Sequence, residues 1–138
     1  MPVLSEYRFT PKQRILSKHD YQKVFNQAQF RSGNKRLLLL AIQTELETGR
    51  LGLVVPKKHL RRAVDRNIVK RITRNTFRLR QSDFIGVDIV VLVKGKFNIK
   101  EIRTQATDDI NILWDKLAQK IKRAKLEQTK QDHCTDDQ

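Results

Sequence analysis

The fold is decided by residues 51–78, which read LGLVVPKKHLRRAVDRNIVKRITRNTFR. Together with the preceding arginine, the apolar start of this segment (RLGLVVP, residues 50–56) predicts a strand. Residues 59–80 contain neither glycine nor proline, and their apolar side chains recur at helical spacing. This apolar stripe consists of Val64, Ile68, Ile72 and Leu79. The segment therefore predicts a strand that leads directly into an amphipathic helix.

The predicted helix is strongly basic. Between Lys57 and Arg80 the chain has ten basic residues and a single acid, Asp65. Five of the basic residues recur at every fourth position and form what we call the cationic ridge: Arg62, Arg66, Lys70, Arg74 and Arg78. Four residues advance a helix by about 400°, so successive members are displaced by only about 40° and lie opposite the apolar stripe. A merely solvated face usually mixes charges of both signs, so this repetition predicts a polyanionic partner, above all a nucleic acid.

Composition agrees with such a partner. The 138 residues suit one domain, and 29 basic against 15 acidic residues give a formal charge of +14. The single cysteine, Cys134, excludes a disulfide framework. The first residues lack the charged and apolar blocks of a signal peptide, and the longest apolar run, 37–42, is too short to cross a bilayer. We therefore expect a cytoplasmic protein without a membrane partner.

Outside this segment, apolar periodicity predicts two more helices and two more strands. These are a helix at 17–28, strands at 35–43 and 87–93, and a helix that starts at Asn98 and ends near Lys125. Turn residues after position 43 favour a hairpin between strands 35–43 and 50–56, and the β-branched run 87–93 predicts a central strand. The resulting order is α-β-β-α-β-α, with room for one further strand that the pattern does not place.

The chain ends are predicted to lie outside the packed core. A single domain spans residues 1–125, of which 1–15 show no periodicity and are expected to lie extended over the surface. Residues 126–138 are polar and are predicted to form a disordered tail.

Three stretches in order, SKHDYQKVF (17–25), residues 51–78 and DIVVLVKGKF (88–97), resemble the bacterial ribonuclease P protein family. The resemblance covers about residues 8–123. It implies a small α+β domain in which helices pack on a four-stranded sheet. It also implies an unusual left-handed β-α-β crossover around the basic helix, as in the second domain of ribosomal protein S5.

The resemblance also implies a function and its partners. The protein would be the subunit that assists a catalytic RNA in removing the 5′ leader of precursor tRNA. The RNA would perform the hydrolysis with Mg²⁺ held by RNA and substrate phosphates. The partners would be the ribonuclease P catalytic RNA and the 5′ leader, and no obligate protein partner is expected.

Two sets of site residues follow from the resemblance. The first set lies on the RNA-binding helix and on the segment that leads into it: Lys57, Lys58, Arg61, Arg62, Arg66, Asn67, Lys70, Arg71 and Arg74. The leader cleft comprises Tyr21, Phe25, Leu38 and Leu40. Spacing alone would favour Tyr21 and Phe25 as core residues. Ile68 stands where the family motif usually has arginine, which puts one RNA contact in doubt.

Nothing in the sequence resembles a protein nuclease centre. The histidines His19, His59 and His133 are scattered, and Asp108 and Asp109 diverge by about 100° on a helix. Neither catalytic nor metal-binding side chains are therefore predicted. The alternatives are a structural, ribosomal-type RNA-binding protein and a helix-turn-helix DNA-binding protein. Predicted strands on both sides of the basic helix disfavour the second alternative.

Overall fold

The computed structural model describes residues 18–44 and 49–136, with side chains through residue 127. Short 3-10 turns at Gln81–Phe84 and Ile99–Glu101 precede the last strand and the last helix. Residues 1–15 and Ser17, for which an extended segment and a helix start are predicted, lie outside the described residues. The helices and strands of the described part follow in this order: α1 (Lys18–Gln27), β1 (Phe30–Gly33), β2 (Leu37–Gln43), β3 (Arg50–Val54), α2 (Ala63–Leu79), β4 (Val87–Val93) and α3 (Ile102–Asp136).

The four strands form one mixed sheet in the order β1-β2-β4-β3. β4 pairs antiparallel with β2 and parallel with β3, which confirms the α+β class and the central position of strand 87–93. The predicted hairpin between strands 35–43 and 50–56 is wrong, because β4 lies between them. All residues of β4 except Leu92 are buried, so a place between two strands covers the most apolar strand. The left-handed sense of the β3-α2-β4 crossover stays a prediction.

The strand that the sequence pattern does not place is β1. It spans only the four residues FRSG at the edge of the sheet, too few for an alternating pattern to appear. Its buried Ser32 donates a hydrogen bond from Oγ to the carbonyl oxygen of Leu113 in α3, at 3.2 Å. The edge strand is thus fastened to the last helix by a polar contact, which apolar periodicity does not detect.

The main core lies between the sheet and the two longer helices, α2 and α3. It is closed by three aromatic side chains: the rings of Phe77 and Phe84 stack with centroids 6.1 Å apart, and Trp114 lies 5.2–5.8 Å from both. The indole nitrogen of Trp114 donates a hydrogen bond to Thr76 Oγ1 at 2.9 Å. These contacts fix α2 against α3 and thereby fix the orientation of the cationic ridge.

The buried side of α2 differs from the predicted apolar stripe by one position. Val64 and Leu79 are 53% and 59% exposed, and Ile68 and Ile72 are only partly buried. The row that is buried repeats every fourth residue, but two of its four members are polar, which hides it from a hydrophobic pattern. Buried Thr73 is tolerated because its hydroxyl donates to the Val69 carbonyl oxygen at 2.8 Å. The buried row consists of Asp65, Val69, Thr73 and Phe77.

The polar tail predicted at 126–138 differs from the structure, in which α3 continues through Asp136. This stretch contains neither glycine nor proline, and it begins with leucine, glutamate and glutamine, which favour helix. The sequence therefore offers no stop signal at Lys125, where the apolar stripe ends.

Candidate nucleic-acid interface

The cationic ridge lies along one flank of α2, next to the buried row. Four ridge residues of α2 are partly buried: Arg66, Lys70, Arg74 and Arg78. Their aliphatic stems lie beside the core, and their charged ends extend towards solvent. Asn67 and Arg71 belong to the neighbouring row and are exposed. Among the described residues, neither Lys70 nor Arg71 has an ion-pair partner. The middle of α2 therefore offers positive charge to a partner.

The N-terminal end of α2 is held by arginine contacts. Arg62 forms an ion pair with Asp65 through Nε and Oδ2 at 3.0 Å, and Asp65 is only 2% exposed. Arg66 donates from Nη1 to the carbonyl oxygens of Leu60 and Arg61, at 2.9 and 2.8 Å. Two of the predicted RNA-binding arginines therefore also shape the loop that carries exposed Lys57, Lys58 and Arg61.

The second predicted site lies on the opposite face of the sheet, where α1 packs. Val24 of α1 is buried against Leu40, Ile42 and Val90. The helix thus covers one half of this face, so Leu40, only 4% exposed, supports the helix from beneath. Leu40 is the one predicted cleft residue that the structure places out of reach of a ligand.

The other half of this face is open. Leu38, Leu92 and Val54 pair side by side across β2, β4 and β3, and all three are only partly buried. Tyr21 and Phe25 are also partly buried and border the open half from α1. We call these five residues the cleft. Leu92 and Val54 are missing from the sequence prediction, because only the strand register shows that they lie beside Leu38.

The position of Tyr21 is set by the edge strand β3. Its hydroxyl oxygen accepts a hydrogen bond from the backbone nitrogen of Leu53 at 3.1 Å. Its ring lies over Gly52, where an added Cβ would come within 2.6 Å of ring atom Cε1. A glycine at this position is therefore what allows an aromatic ring to lie flat on the strand.

An ion-pair network anchors α1 to the sheet below the cleft. Arg50 of β3 contacts buried Asp88 of β4, with Nε–Oδ1 at 2.9 Å and Nη2–Oδ2 at 2.5 Å. The same guanidinium reaches Asp20 of α1, with Nη1–Oδ2 at 3.3 Å. The hydrogen bonds with Asp88 raise the pKa of Arg50 above its ordinary value, against the opposing effect of burial. This network fixes the wall of the cleft relative to its floor.

A further group of lysines lies at the sheet end nearest the open half. The parallel strands β3 and β4 both end there, and antiparallel β2 begins there. The backbone nitrogens of Lys94 and Gly95 donate to the Arg36 carbonyl oxygen at 2.9 and 3.3 Å, which joins two of the loops. The exposed lysines at this end are Lys35, Lys57, Lys58, Lys94 and Lys96. Only the pair at 57–58 is in the sequence prediction, because the topology that gathers the others is not visible in a linear pattern.

The described carboxylates of the core and its margin are engaged by arginine. Asp109 pairs with Arg36 at 2.6 Å, and Asp65 and Asp88 form the pairs given above. Within residues 18–44 and 49–136, no cluster of three or more histidine, cysteine, aspartate or glutamate residues could hold a metal ion. The same part of the chain contains no helix long and apolar enough to cross a membrane. What the described surface offers is positive charge and a partly apolar cleft.

Comparison with known proteins gives a consistent result. The profile of the family described as Ribonuclease P matches residues 9–118. The ribonuclease P protein component of Alcanivorax borkumensis is 40% identical over 124 residues, which cover 90% of this chain and all of the relative. The ribonuclease P protein component of Aliivibrio salmonicida is 40% identical over 117 residues, which cover 85% of this chain and 95% of the relative.

Solved structures agree with the fold. An RNase P protein structure from Staphylococcus aureus superposes with a TM-score of 0.66 at 22% identity, covering 80% of this chain and 93% of that one. The RNase P protein from Thermotoga maritima in complex with 1-(4-fluorophenyl)-2-thiourea superposes with a TM-score of 0.58 at 26% identity. The match covers 72% of this chain and 96% of that one.

Proposed function

The chain belongs to the ribonuclease P protein family, and from this we propose that it binds the catalytic RNA and the 5′ leader of precursor tRNA. In doing so it promotes the endonucleolytic removal of the leader that yields the mature 5′ end. The observation that carries the proposal is the pairing of two unlike surfaces, the cationic ridge and the cleft. Both adjoin the loop that leads from β3 into α2, so the catalytic RNA and the leader can be bound next to each other.

The ridge is suited to structured RNA. Lys70 of the ridge and Arg71 beside it present charge from a helix that is fixed by its contacts with α3, and lysine and arginine both bind phosphate. Contacts of this kind depend on salt, because each neutralised phosphate releases counterions. The ridge thus supplies affinity and register for the catalytic RNA.

The cleft is suited to a single strand of variable sequence. Tyr21 and Phe25 border an apolar floor, and exposed lysines lie at the adjoining sheet end. Stacking of a base on an aromatic ring contributes about 1–3 kcal/mol with little demand on sequence. This property fits a leader whose sequence differs from one precursor to the next.

Hydrolysis is assigned to the RNA. Since Asp65, Asp88 and Asp109 are engaged by arginine, the donor set of the described core does not fit a protein-bound Mg²⁺. Magnesium is therefore expected on RNA and substrate phosphates, where it supplies a metal-activated hydroxide. The lysines and arginines of this chain reduce phosphate repulsion, so the complex forms at a lower Mg²⁺ concentration.

The decisive experiment is cleavage of precursor tRNA by a bacterial ribonuclease P RNA at low Mg²⁺, with and without this protein. We expect cleavage at the mature 5′ end that depends on the protein. Absence of stimulation, together with tight binding to unrelated structured RNA, would instead favour the ribosomal-type RNA-binding protein.

Two double variants test the cleft in the same assay. Tyr21→Ala/Phe25→Ala removes both aromatic faces and should abolish most of the stimulation at limiting protein. The matched control Ile85→Ala/Ile112→Ala also removes two large apolar side chains, each more than half exposed and outside the cleft. Equal activity of the two variants would contradict the assignment of the cleft to the leader.

A further inference from the structure

We propose that the chain has a second RNA-binding surface, formed by α3 and β1, that binds the phosphates of a double-stranded RNA segment. We call it the α3–β1 face, and its charged side chains are Lys116, Lys120 and Arg123 of α3. This inference rests on the proposed function only in assuming that the chain is in contact with RNA. It is a different surface from the cationic ridge and the cleft.

The charges of this face come from one flank of α3. Between Asp115 and Glu127, α3 contains five basic residues and no acid. Lys116, Lys120 and Arg123 are four and three residues apart, so their directions around the helix differ by at most about 60°. All three are exposed.

The face is rigid because several contacts fasten β1 and its following turn to α3. Lys120 donates a hydrogen bond from Nζ to the Arg31 carbonyl oxygen. Arg36 binds Asp109 of α3 through two hydrogen bonds, at 2.6 and 3.0 Å. The ion pair between Arg36 and Asp109 also matters electrostatically, because Asp109 lies on the same flank of α3 as the face and Arg36 neutralises its charge. Along this flank the next acid after Asp109 is the exposed Glu127, one turn beyond Arg123, so the stretch from Lys116 to Arg123 itself carries only positive charge.

The α3–β1 face points away from the cationic ridge. On α3, Asn111 and Asp115 contact Arg80 at the end of α2, so that flank faces α2 and the β1 flank is the other one. On α2, Thr76 bonds to Trp114 of α3, and the ridge lies about 200° around the helix from the row of Thr76. The two basic surfaces thus lie on opposite sides of the helix layer.

A duplex fits this face better than a single strand does. The face contains no aromatic side chain on which an unpaired base could stack. Its charges extend about 10 Å along α3, from Lys116 to Arg123, at 1.5 Å per residue. A double helix presents phosphates at high density along such a line and is recognised mostly by shape and backbone contacts.

The test uses the full-length chain and a short mixed-sequence RNA duplex. In sedimentation experiments at excess RNA, we expect two duplexes per wild-type chain. Lys116→Gln/Arg123→Gln should reduce this to one. Lys70→Gln/Arg71→Gln, which removes one ridge charge and the charge beside it, should also leave one. A wild-type chain that binds one duplex, with no change in Lys116→Gln/Arg123→Gln, would overturn the proposal.

Salt dependence provides a second measurement with a matched control. Lys116→Gln/Arg123→Gln should lower the slope of log affinity against log salt by roughly 2, at about 0.9 for each lost phosphate contact. Lys100→Gln/Lys122→Gln removes the same charge from exposed positions off the face and should leave the slope unchanged. Equal changes in both variants would mean that net charge alone acts, which contradicts a defined face. Neither result depends on cleavage of precursor tRNA, so this inference and the proposed function fail separately.

Discussion

The cationic ridge and the cleft are built on different physical principles. The ridge depends on charge: Lys70 of the ridge and Arg71 beside it project from a helix that is already fixed by its apolar side, and their exact rotamers matter little. The cleft depends on shape: Tyr21 is positioned by a hydrogen bond from Leu53 and by the absence of a side chain at Gly52. A single substitution in the ridge should therefore remove only part of its RNA affinity, whereas a single substitution in the cleft can change the geometry of the whole cleft.

The largest expected effect concerns the anchor of the cleft. Asp88→Asn leaves Arg50 without its main partner in a site where the Asp88 side chain is only 6% exposed. Removal of one partner of a buried ion pair costs about 3 kcal/mol or more, so we expect a loss of this size in the free energy of unfolding. Urea denaturation measures it.

The control for this prediction is the exposed pair between Arg80 and Asp115. The Asp115 side chain is 62% exposed, so Asp115→Asn should cost at most about 1 kcal/mol. If both variants lose the same stability, the network below the cleft is no stronger than a surface ion pair.

Gly52→Ala should change the shape of the cleft without unfolding the chain. The new methyl group would overlap the ring of Tyr21, which can swing away because it is the far end of a side chain. Loss of one stacked base, at about 1–3 kcal/mol, corresponds to a roughly 5- to 150-fold weaker affinity for precursor tRNA. Affinity for mature tRNA, which lacks the leader, should stay the same. An unchanged preference for the precursor would contradict a role of the Tyr21 ring.

Comparison of the two regions also explains what could be predicted from the sequence. The ridge can be predicted from the sequence, because helical geometry alone brings charges at every fourth residue onto one side of a helix. The buried side of α2 was misplaced by one position because Asp65 and Thr73 are polar, although their contacts allow burial. Leu92, Val54 and the pairing of β3 with β4 depend on strand register, which no local pattern contains. The sequence pattern therefore could not predict the floor of the cleft, because strands that are distant in the sequence form it together.

Within the ridge, Lys70→Ala and Arg66→Ala should separate charge from structure. Lys70→Ala should lower the salt slope of RNA binding by about 0.9 with no change in stability, since it removes one phosphate contact. Arg66→Ala also removes hydrogen bonds to Leu60 and Arg61, each contributing about 0.5–1.5 kcal/mol. It should therefore destabilise the chain as well as weaken binding. Equal stability of the two variants in urea would show that the Arg66 contacts do not hold the loop.

The smallest expected effect distinguishes the two roles of Tyr21. Tyr21→Phe keeps the ring but removes the acceptor of the Leu53 hydrogen bond, at a cost of about 0.5–1 kcal/mol because water can reach this edge strand. Affinity for the leader should not change, since stacking needs the ring and the hydroxyl is engaged by the strand. A large loss of precursor affinity with unchanged stability would show that the hydroxyl contacts RNA directly. In that case Tyr21 would contribute hydrogen-bond recognition to a cleft that we otherwise expect to bind by shape and stacking alone.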